Sequence, residues 1–237
     1  MSDFRSILNA ALAECEISLD ALALDRLCGY NELLLARNEV MNLTALTEPR
    51  DVALKHFADS LMLLQYCAIP ENASVIDVGT GAGFPGLVLK IARPDIRLTL
   101  LDSLQKRLLF LDEVCEALGL EGVNTVHSRA EDGARTALRD SFDVAVARAV
   151  APLNVLCEYC LPYVRQGGRF LAMKGRSAAE ELLDAQSAVE QLGAKVLNEF
   201  HFTLGEAGER GIVEMEKLIP TPPQFPRKSK QIQKKPL

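Results

Sequence analysis

The sequence predicts an α/β fold: a seven-stranded, mostly parallel sheet with an antiparallel C-terminal hairpin, preceded by a small helical region. Three observations carry that expectation. From residue 73 onward, short apolar runs alternate with helical stretches. Four glycines, at 79, 81, 83 and 86, follow the first of those runs directly. The last two runs alternate apolar with polar residues and have no helix between them.

Taken in order, the first seventy residues read as helices. Phe4, Ile7, Leu8, Ala11 and Leu12 share one face behind a cap at Ser2. Ser18 is the expected cap of a second helix, striped by Leu19, Leu22, Leu27, Tyr30, Leu33 and Leu34. Thr47 is the expected cap of a third, with Pro49 in the first turn, where a missing N–H costs nothing. Strands are expected at 74–79, 97–102, 123–128, 142–148 and 168–175, with helical patterns such as 104–118 between them. Such crossovers give parallel strands with helices on both faces. The runs 195–202 and 212–218 flank a loop with Gly205, Gly208 and Gly211, which reads as a hairpin closing one sheet edge. The chain thus divides into a helical cap (1–70), a sheet domain (71–219) and a basic, proline-rich tail (220–237).

Composition bounds the function. The 237 residues are 49% hydrophobic and 24% charged, enough for a sizeable core, and no apolar run reaches bilayer length. With no cationic stretch ahead of an apolar one at the N-terminus, a soluble, cytoplasmic and monomeric protein is expected. The net charge of −6 hides an asymmetry: five cations in the tail, Arg227, Lys228, Lys230, Lys234 and Lys235, leave the remainder at −11. The tail reads either as an RNA-contacting arm or as a solvated terminus. Six scattered cysteines suit reduced thiols, and Cys157 and Cys160, three apart in a helical pattern, read as two small hydrophobes. No metal site is expected.

The densest signal is Asp77–Val78–Gly79–Thr80–Gly81–Ala82–Gly83–Phe84–Pro85–Gly86, a glycine loop between a strand and a helix. Without a Cβ, the backbone turns tightly and a ligand can approach the main chain. Asp102 ends the second strand, placed to meet ribose hydroxyls. Rossmann-like folds for nicotinamide dinucleotides and for S-adenosylmethionine (SAM) share both features. Asp77 separates them, because a carboxylate beside the loop opposes a diphosphate and suits a cationic sulfonium and ammonium. The terminal hairpin also favours the SAM-dependent methyltransferase sheet over an NAD-linked oxidoreductase.

The residues now reached resemble the RsmG (GidB) family, bacterial methyltransferases of guanine N7 in 16S ribosomal RNA. The resemblance lies in Asn42–Leu43–Thr44, His56 with Asp59–Ser60, IDVGTGAGFPG (76–86), LLDSLQKRLLFL (100–111), SRAE (128–131), Arg148–Ala149, GRFLAMKG (168–175) and the ending FPRK…KKPL. These run in order from residue 42 to the C-terminus. The resemblance implies cofactor contacts at Gly79, Phe84, Ala130, Glu131 and Arg148; Asp77, Gly81 and Asp102 join them from the physics of the loop. Candidate RNA contacts are Asn42, His56, Lys174, Arg227 and Lys228. Many relatives carry an aromatic pair just before the Asn-Leu-Thr stretch, where this chain has Arg37 and Met41.

The acceptor is narrowed by chemistry as well. After the fourth strand there is neither the Asp/Asn-Pro-Pro-aromatic loop of exocyclic-amine methylation nor the Pro-Cys of cytosine-C5 methylation; the chain reads Ala147–Arg148–Ala149–Val150–Ala151–Pro152–Leu153. Guanine N7 carries an in-plane lone pair, so its methylation needs no base and no covalent intermediate, only positioning and electrostatics. Arg148 is expected to hold the SAM carboxylate, an RNA phosphate or guanine O6, since a guanidinium on N7 would block the attacking lone pair. His56 and Asp59 are read either as helix packing or as RNA contacts, and Lys174 as a phosphate contact or a solvated lysine. The expected partner is 16S rRNA within the small subunit or an assembly intermediate. A non-catalytic RNA-binding or assembly factor on the same fold is the alternative from a different class.

Overall fold

The computed structural model describes residues 2–237, with side chains from Asp3 onward; the Ser2 side-chain cap lies outside the described residues. Helix α1 (Ser2–Glu14) buries Leu8, Ala11 and Leu12. Helix α2 (Ala21–Met41) is capped by Asp20 rather than Ser18: its carboxylate accepts from the Ala23 N–H at 2.7 Å, the reach of a residue just ahead of the first turn. It closes at Asn42, which takes the left-handed region (φ 49°), a conformation asparagine tolerates better than most residues.

The third helical segment runs unbroken from α3 (Pro49–Val52) through a π-helical turn (Ala53–Ala58) into α4 (Asp59–Tyr66). Its cap is Glu48, not Thr47, because Pro49 itself occupies the first helical position. The π turn carries Lys55 and His56. Such single wide turns are rare and concentrate at functional sites.

The sheet follows in the expected rhythm: β1 (Ser74–Val78), α5 (Gly86–Ala92), β2 (Arg97–Asp102), α6 (Gln105–Leu118), β3 (Val123–His127), α7 (Ala130–Gly133), β4 (Phe142–Arg148), α8 (Leu153–Cys160), β5 (Val164–Gly175), α9 (Ala178–Gln191), β6 (Ala194–Thr203) and β7 (Glu209–Lys217). Strand order is β3-β2-β1-β4-β5-β7-β6, parallel from β3 to β5 and antiparallel through β7 and β6. Between β1 and β4 the order reverses direction, and the crevice outside the strands' C-terminal ends at such a point is where this architecture binds ligands.

Period-two alternation feeds both faces. Val75, Leu98, Val144, Leu171 and Ile212 pack with Leu8, Leu34, Phe57 and Leu87 on one side, so α1–α4 share a core with the sheet. Ile76, Leu101, Ala145, Ala172 and Val213 pack with α8 and α9 on the other. Cys157 and Cys160 are free, fully buried thiols there, and burial pushes Cys157 up to about 12.

The tail is neither a solvated terminus nor a free arm. It folds back along α8 and ends in α10 (Ser229–Lys234), with Phe225 and Ile232 buried in the second core. Arg227, expected at the RNA, instead clamps the fully buried Glu158 (Nε to Oε1 3.0 Å, NH2 to Oε2 2.6 Å). Arg139 donates to the carbonyls of Thr221 and Phe225 at 2.6 and 2.8 Å. Lys217, wholly buried, donates to the Leu161 carbonyl at 2.7 Å and to Thr221, and burial lowers its amine to about 8. Lys228 remains exposed. Among the described residues, no helix is long and apolar enough to cross a membrane.

Candidate active site

The glycine loop is fastened before any ligand is considered. Gly79 and Thr80 N–H groups donate to the Leu101 carbonyl (2.8 and 3.1 Å), pinning the start of the loop to the end of β2. Asp77, fully buried, accepts through Oδ2 from the Thr80 hydroxyl (2.7 Å) and the Gly86 N–H (2.9 Å), tying the end of β1 to the start of α5. A Cβ on Gly86 would stand 2.7 Å from this carboxylate, so only glycine allows the tie. Burial raises the Asp77 carboxyl to about 6, against the two hydrogen bonds that lower it. Its Oδ1 is buried without a hydrogen-bond partner.

Beside the loop lies a cavity of about 310 Å³ walled by Gly79, Asp102, Ser103, Arg107, Ala130 and Glu131, with Arg129, Val150, Tyr159 and Gln233 at its sides. Asp102, 3% exposed, accepts from the Gly81 N–H (3.0 Å), the Leu104 N–H (2.8 Å) and Arg107 (3.3 Å), which fixes its orientation at the cavity wall. Glu131, also buried, is held by Arg129 Nε at 2.7 Å. Gly81 has φ +60°, and a Cβ there would meet nothing nearer than the Gly79 carbonyl at 4.0 Å, so its main chain faces open space.

A second cavity of about 470 Å³ adjoins the first, and Ala149 lines both. It is bounded by Lys55, His56 and Asp59 from the π turn and α4, by Arg148 and Lys174 from the sheet, and by Glu181 and Arg210. Ala149 has φ +56°, a left-handed conformation costly for a residue with a Cβ and typical of functional sites. Arg148 holds this junction: it donates to Asp59 (2.8 Å), to the Lys55 carbonyl (2.8 Å) and to His56 Nδ1 (3.1 Å). Arg210 approaches the other oxygen of Asp59 at 3.3 Å.

His56 is therefore in its Nε2–H form. Nδ1 accepts from Arg148 and Nε2–H donates to Thr44 Oγ1 at 2.8 Å, while the ring stacks on Phe84 with centroids 4.4 Å apart. Burial and then the Arg148 charge lower its pKa to about 3. Thr44 is itself placed by Asn38, through Thr44 N–H to Oδ1 (2.9 Å) and Nδ2 to the Thr44 carbonyl (3.0 Å).

Of the expected cofactor residues, Gly79, Asp102, Ala130 and Glu131 converge on the first cavity. Gly81 abuts it through its bond to Asp102, and Asp77 lies behind the loop. Phe84 is buried between Tyr30 and His56, and Arg148 faces the second cavity. Of the expected RNA residues, His56 and Lys174 line the second cavity, whereas Asn42 terminates α2 and Arg227 serves the tail. Lys174 is not a solvated lysine: its side chain is 7% exposed, paired to Glu181 at 2.6 Å and donating to the Ala151 carbonyl at 2.8 Å.

The family model described as GidB, rRNA small subunit methyltransferase G, matches residues 23–212. The chain belongs to the GidB family. Among its relatives, the ribosomal RNA small subunit methyltransferase G of Leuconostoc mesenteroides is 49% identical over 230 residues, covering 96% of each chain. That of Alkaliphilus metalliredigens is 46% identical over 235 residues, covering 98% of each. Solved structures share the fold at much lower identity. TrmN of Thermus thermophilus matches at TM-score 0.53 and 21% identity, over 67% of this chain and 48% of that one. YcgJ of Bacillus subtilis matches at TM-score 0.53 and 14% identity, over 69% of this chain and all of that one.

Several site residues of this GidB-family chain carry little local signal. Arg107 stands five residues beyond Asp102, in the first turn of α6 within the LLDSLQKR stretch, and Arg129 sits inside SRAE, but nothing in either stretch marks the arginine as the partner of the neighbouring acid. Arg210 and Gln233 reach the site only through tertiary folding of β7 and the tail.

Proposed function

We propose that this chain transfers a methyl group from SAM to N7 of a guanine in 16S ribosomal RNA, acting in the cytoplasm on the small subunit or an assembly intermediate. The observation that carries the reading is the pair of cavities meeting at Ala149. One is walled by oriented carboxylates; in the other the acids and bases are ion-paired or hydrogen-bonded to one another, Asp59 with Arg148 and Arg210, Glu181 with Lys174, and His56 with Arg148 and Thr44.

The first cavity fits SAM in chemistry. Gly81 presents bare main chain, Asp102 offers carboxylate oxygens for ribose hydroxyls, and Glu131 adds a second buried acceptor. The orphaned Oδ1 of Asp77, in a fully buried carboxylate behind the loop, favours a cationic ligand nearby. Gly79, Gly81, Asp102, Ala130 and Glu131 would hold the cofactor directly; Asp77 would act by shaping the loop and by its field. Phe84 would support the loop through its stack with His56. When bound, SAM supplies an electrophilic methyl on sulfur.

The second cavity then receives the guanine. In it, Asp59 is shared by Arg148 and Arg210, Glu181 by Lys174, and both nitrogens of His56 are taken. Asp59 keeps one oxygen, Oδ1, without a hydrogen bond but faces two guanidinium groups, and attack by the N7 lone pair requires no base. The protein's part is alignment: Arg148, locked by three acceptors, sets the path of Ala149 and Val150 between the two cavities. Arg148 and Arg210 together outweigh the single charge of Asp59 and leave net positive charge at this cavity for phosphates, with exposed Lys228 as a further contact. Because the body of the chain is acidic, RNA binding relies on these few cations, and a folded subunit is a better substrate than a short naked oligonucleotide.

Calorimetric titration with SAM, with NADH as the paired control, tests the cofactor half of the proposal. Micromolar SAM binding without NADH binding is expected; NADH binding without SAM would overturn it.

A further inference from the structure

The first cavity is not closed by the family core alone. Gln233, on α10, lines it, although the family model ends at residue 212. The segment that delivers this side chain is held at several points. Arg227 binds the buried Glu158 through its side chain and through its backbone N–H (2.6 Å), and its NH1 donates to the Lys235 carbonyl at 3.0 Å, bracketing α10 from both ends. Ile232 is fully buried, and Arg135 donates to the Pro226 carbonyl. Arg129 links the segment to the cavity wall, donating to the Ser229 hydroxyl at 2.9 Å while its Nε holds Glu131. The Gln233 amide itself makes no hydrogen bond among the described residues. An anchored helix thus presents an unused donor and acceptor to a ligand-sized space.

We infer that Gln233 is a cofactor-binding residue, brought by a C-terminal strap to the adenosine end of the site. This rests on the SAM reading above. Asp102 and Glu131, which share the cavity with Gln233, are the acceptors suited to the ribose and its neighbourhood, whereas Asp77 and its field lie behind the glycine loop. An uncharged amide, able both to donate and to accept, matches a ribose hydroxyl or the edge of a nitrogen heterocycle. Because the strap is ordered by its own packing and ion pair, little entropy is lost when the contact forms.

The test uses the full chain and two ligands, SAM and 5′-methylthioadenosine, which keeps the adenosine and lacks the amino-acid end. Gln233→Ala is expected to weaken both about three- to tenfold, the range of one neutral hydrogen bond. The ligand-free unfolding midpoint should stay unchanged, since Gln233 is exposed and touches none of the anchors. In the wild type, SAM should slow amide exchange over residues 229–235. Gln233→Ala binding within twofold of wild type, or losing affinity for SAM alone, would overturn the inference while leaving the SAM reading intact. Failure of the wild type to bind SAM would instead overturn the reading on which both rest.

Discussion

Asp77→Asn isolates the buried carboxylate that ties the glycine loop together. In the wild type, Oδ2 serves Thr80 and Gly86, Oδ1 serves nothing, and burial raises the carboxyl from 3.8 to about 6. A folded-state pKa above the unfolded value means that stability is fully present below about pH 3.8 and is lost as pH rises through about 6. Over that window the loss amounts to about 3 kcal/mol. An asparagine keeps one oxygen for Thr80 and Gly86 but leaves its NH2 buried and unpaired, at about 1–3 kcal/mol. The variant should therefore be less stable than wild type at pH 4 and equal to it, or up to about 2 kcal/mol more stable, at pH 7. Urea unfolding of both proteins at half-unit steps from pH 4 to 7.5 reads the difference, in which every other titration cancels. A difference that stays constant across that range would refute the buried-charge argument. The same substitution should weaken SAM more than its demethylated product, whose sulfur is neutral, because only SAM carries the sulfonium.

Further outcomes follow from the same contacts. Arg227→Ala strands the buried Glu158 and should cost about 3–5 kcal/mol in unfolding experiments, whereas Lys228→Ala should leave stability alone and lower the salt slope of RNA binding by about one. His56, held near 3, should give the methyl-transfer rate no inflection near pH 6.5, and one that disappears in His56→Gln would assign it proton transfer after all. Its depressed pKa also means that stability is present above about 6.5 and falls as pH drops toward 3, opposite in sign to Asp77, which His56→Gln should flatten in acid unfolding curves. Gly81→Ala forces a left-handed alanine, with a stability loss of about 1 kcal/mol, and its methyl should fill the open space before the loop and abolish SAM binding in calorimetry.

Local pattern carried the sheet well. The runs 97–102 and 142–148 are β2 and β4 residue for residue, because a buried parallel strand is an apolar run bounded by turns. The cap of α2 lies beyond Ser18 because Asp20 is the residue whose carboxylate reaches the Ala23 N–H, and that of α3 lies one residue beyond Thr47 because Pro49 opens the helix, with Glu48 ahead of it making no side-chain cap bond. The tail misled for a plainer reason: PTPPQFP and five cations look solvated, and only the distant Glu158 and the core around Ile232 turn them into a docked helix. At the site, the acids and glycines of the first cavity were legible in motifs, while the Arg148–Asp59–Arg210 arrangement and the π turn under His56 exist only in three dimensions.

The central claim is a base-free methyl transfer to guanine N7 in small-subunit RNA. Its most direct test supplies labelled SAM and the purified chain to small ribosomal subunits from cells lacking this methyltransferase, followed by nuclease digestion and chromatography of the nucleosides. The account predicts label in 7-methylguanosine, at no more than one per subunit, with far less on the naked RNA. Label on an exocyclic amine or on carbon, or none at all with SAM bound, would contradict it.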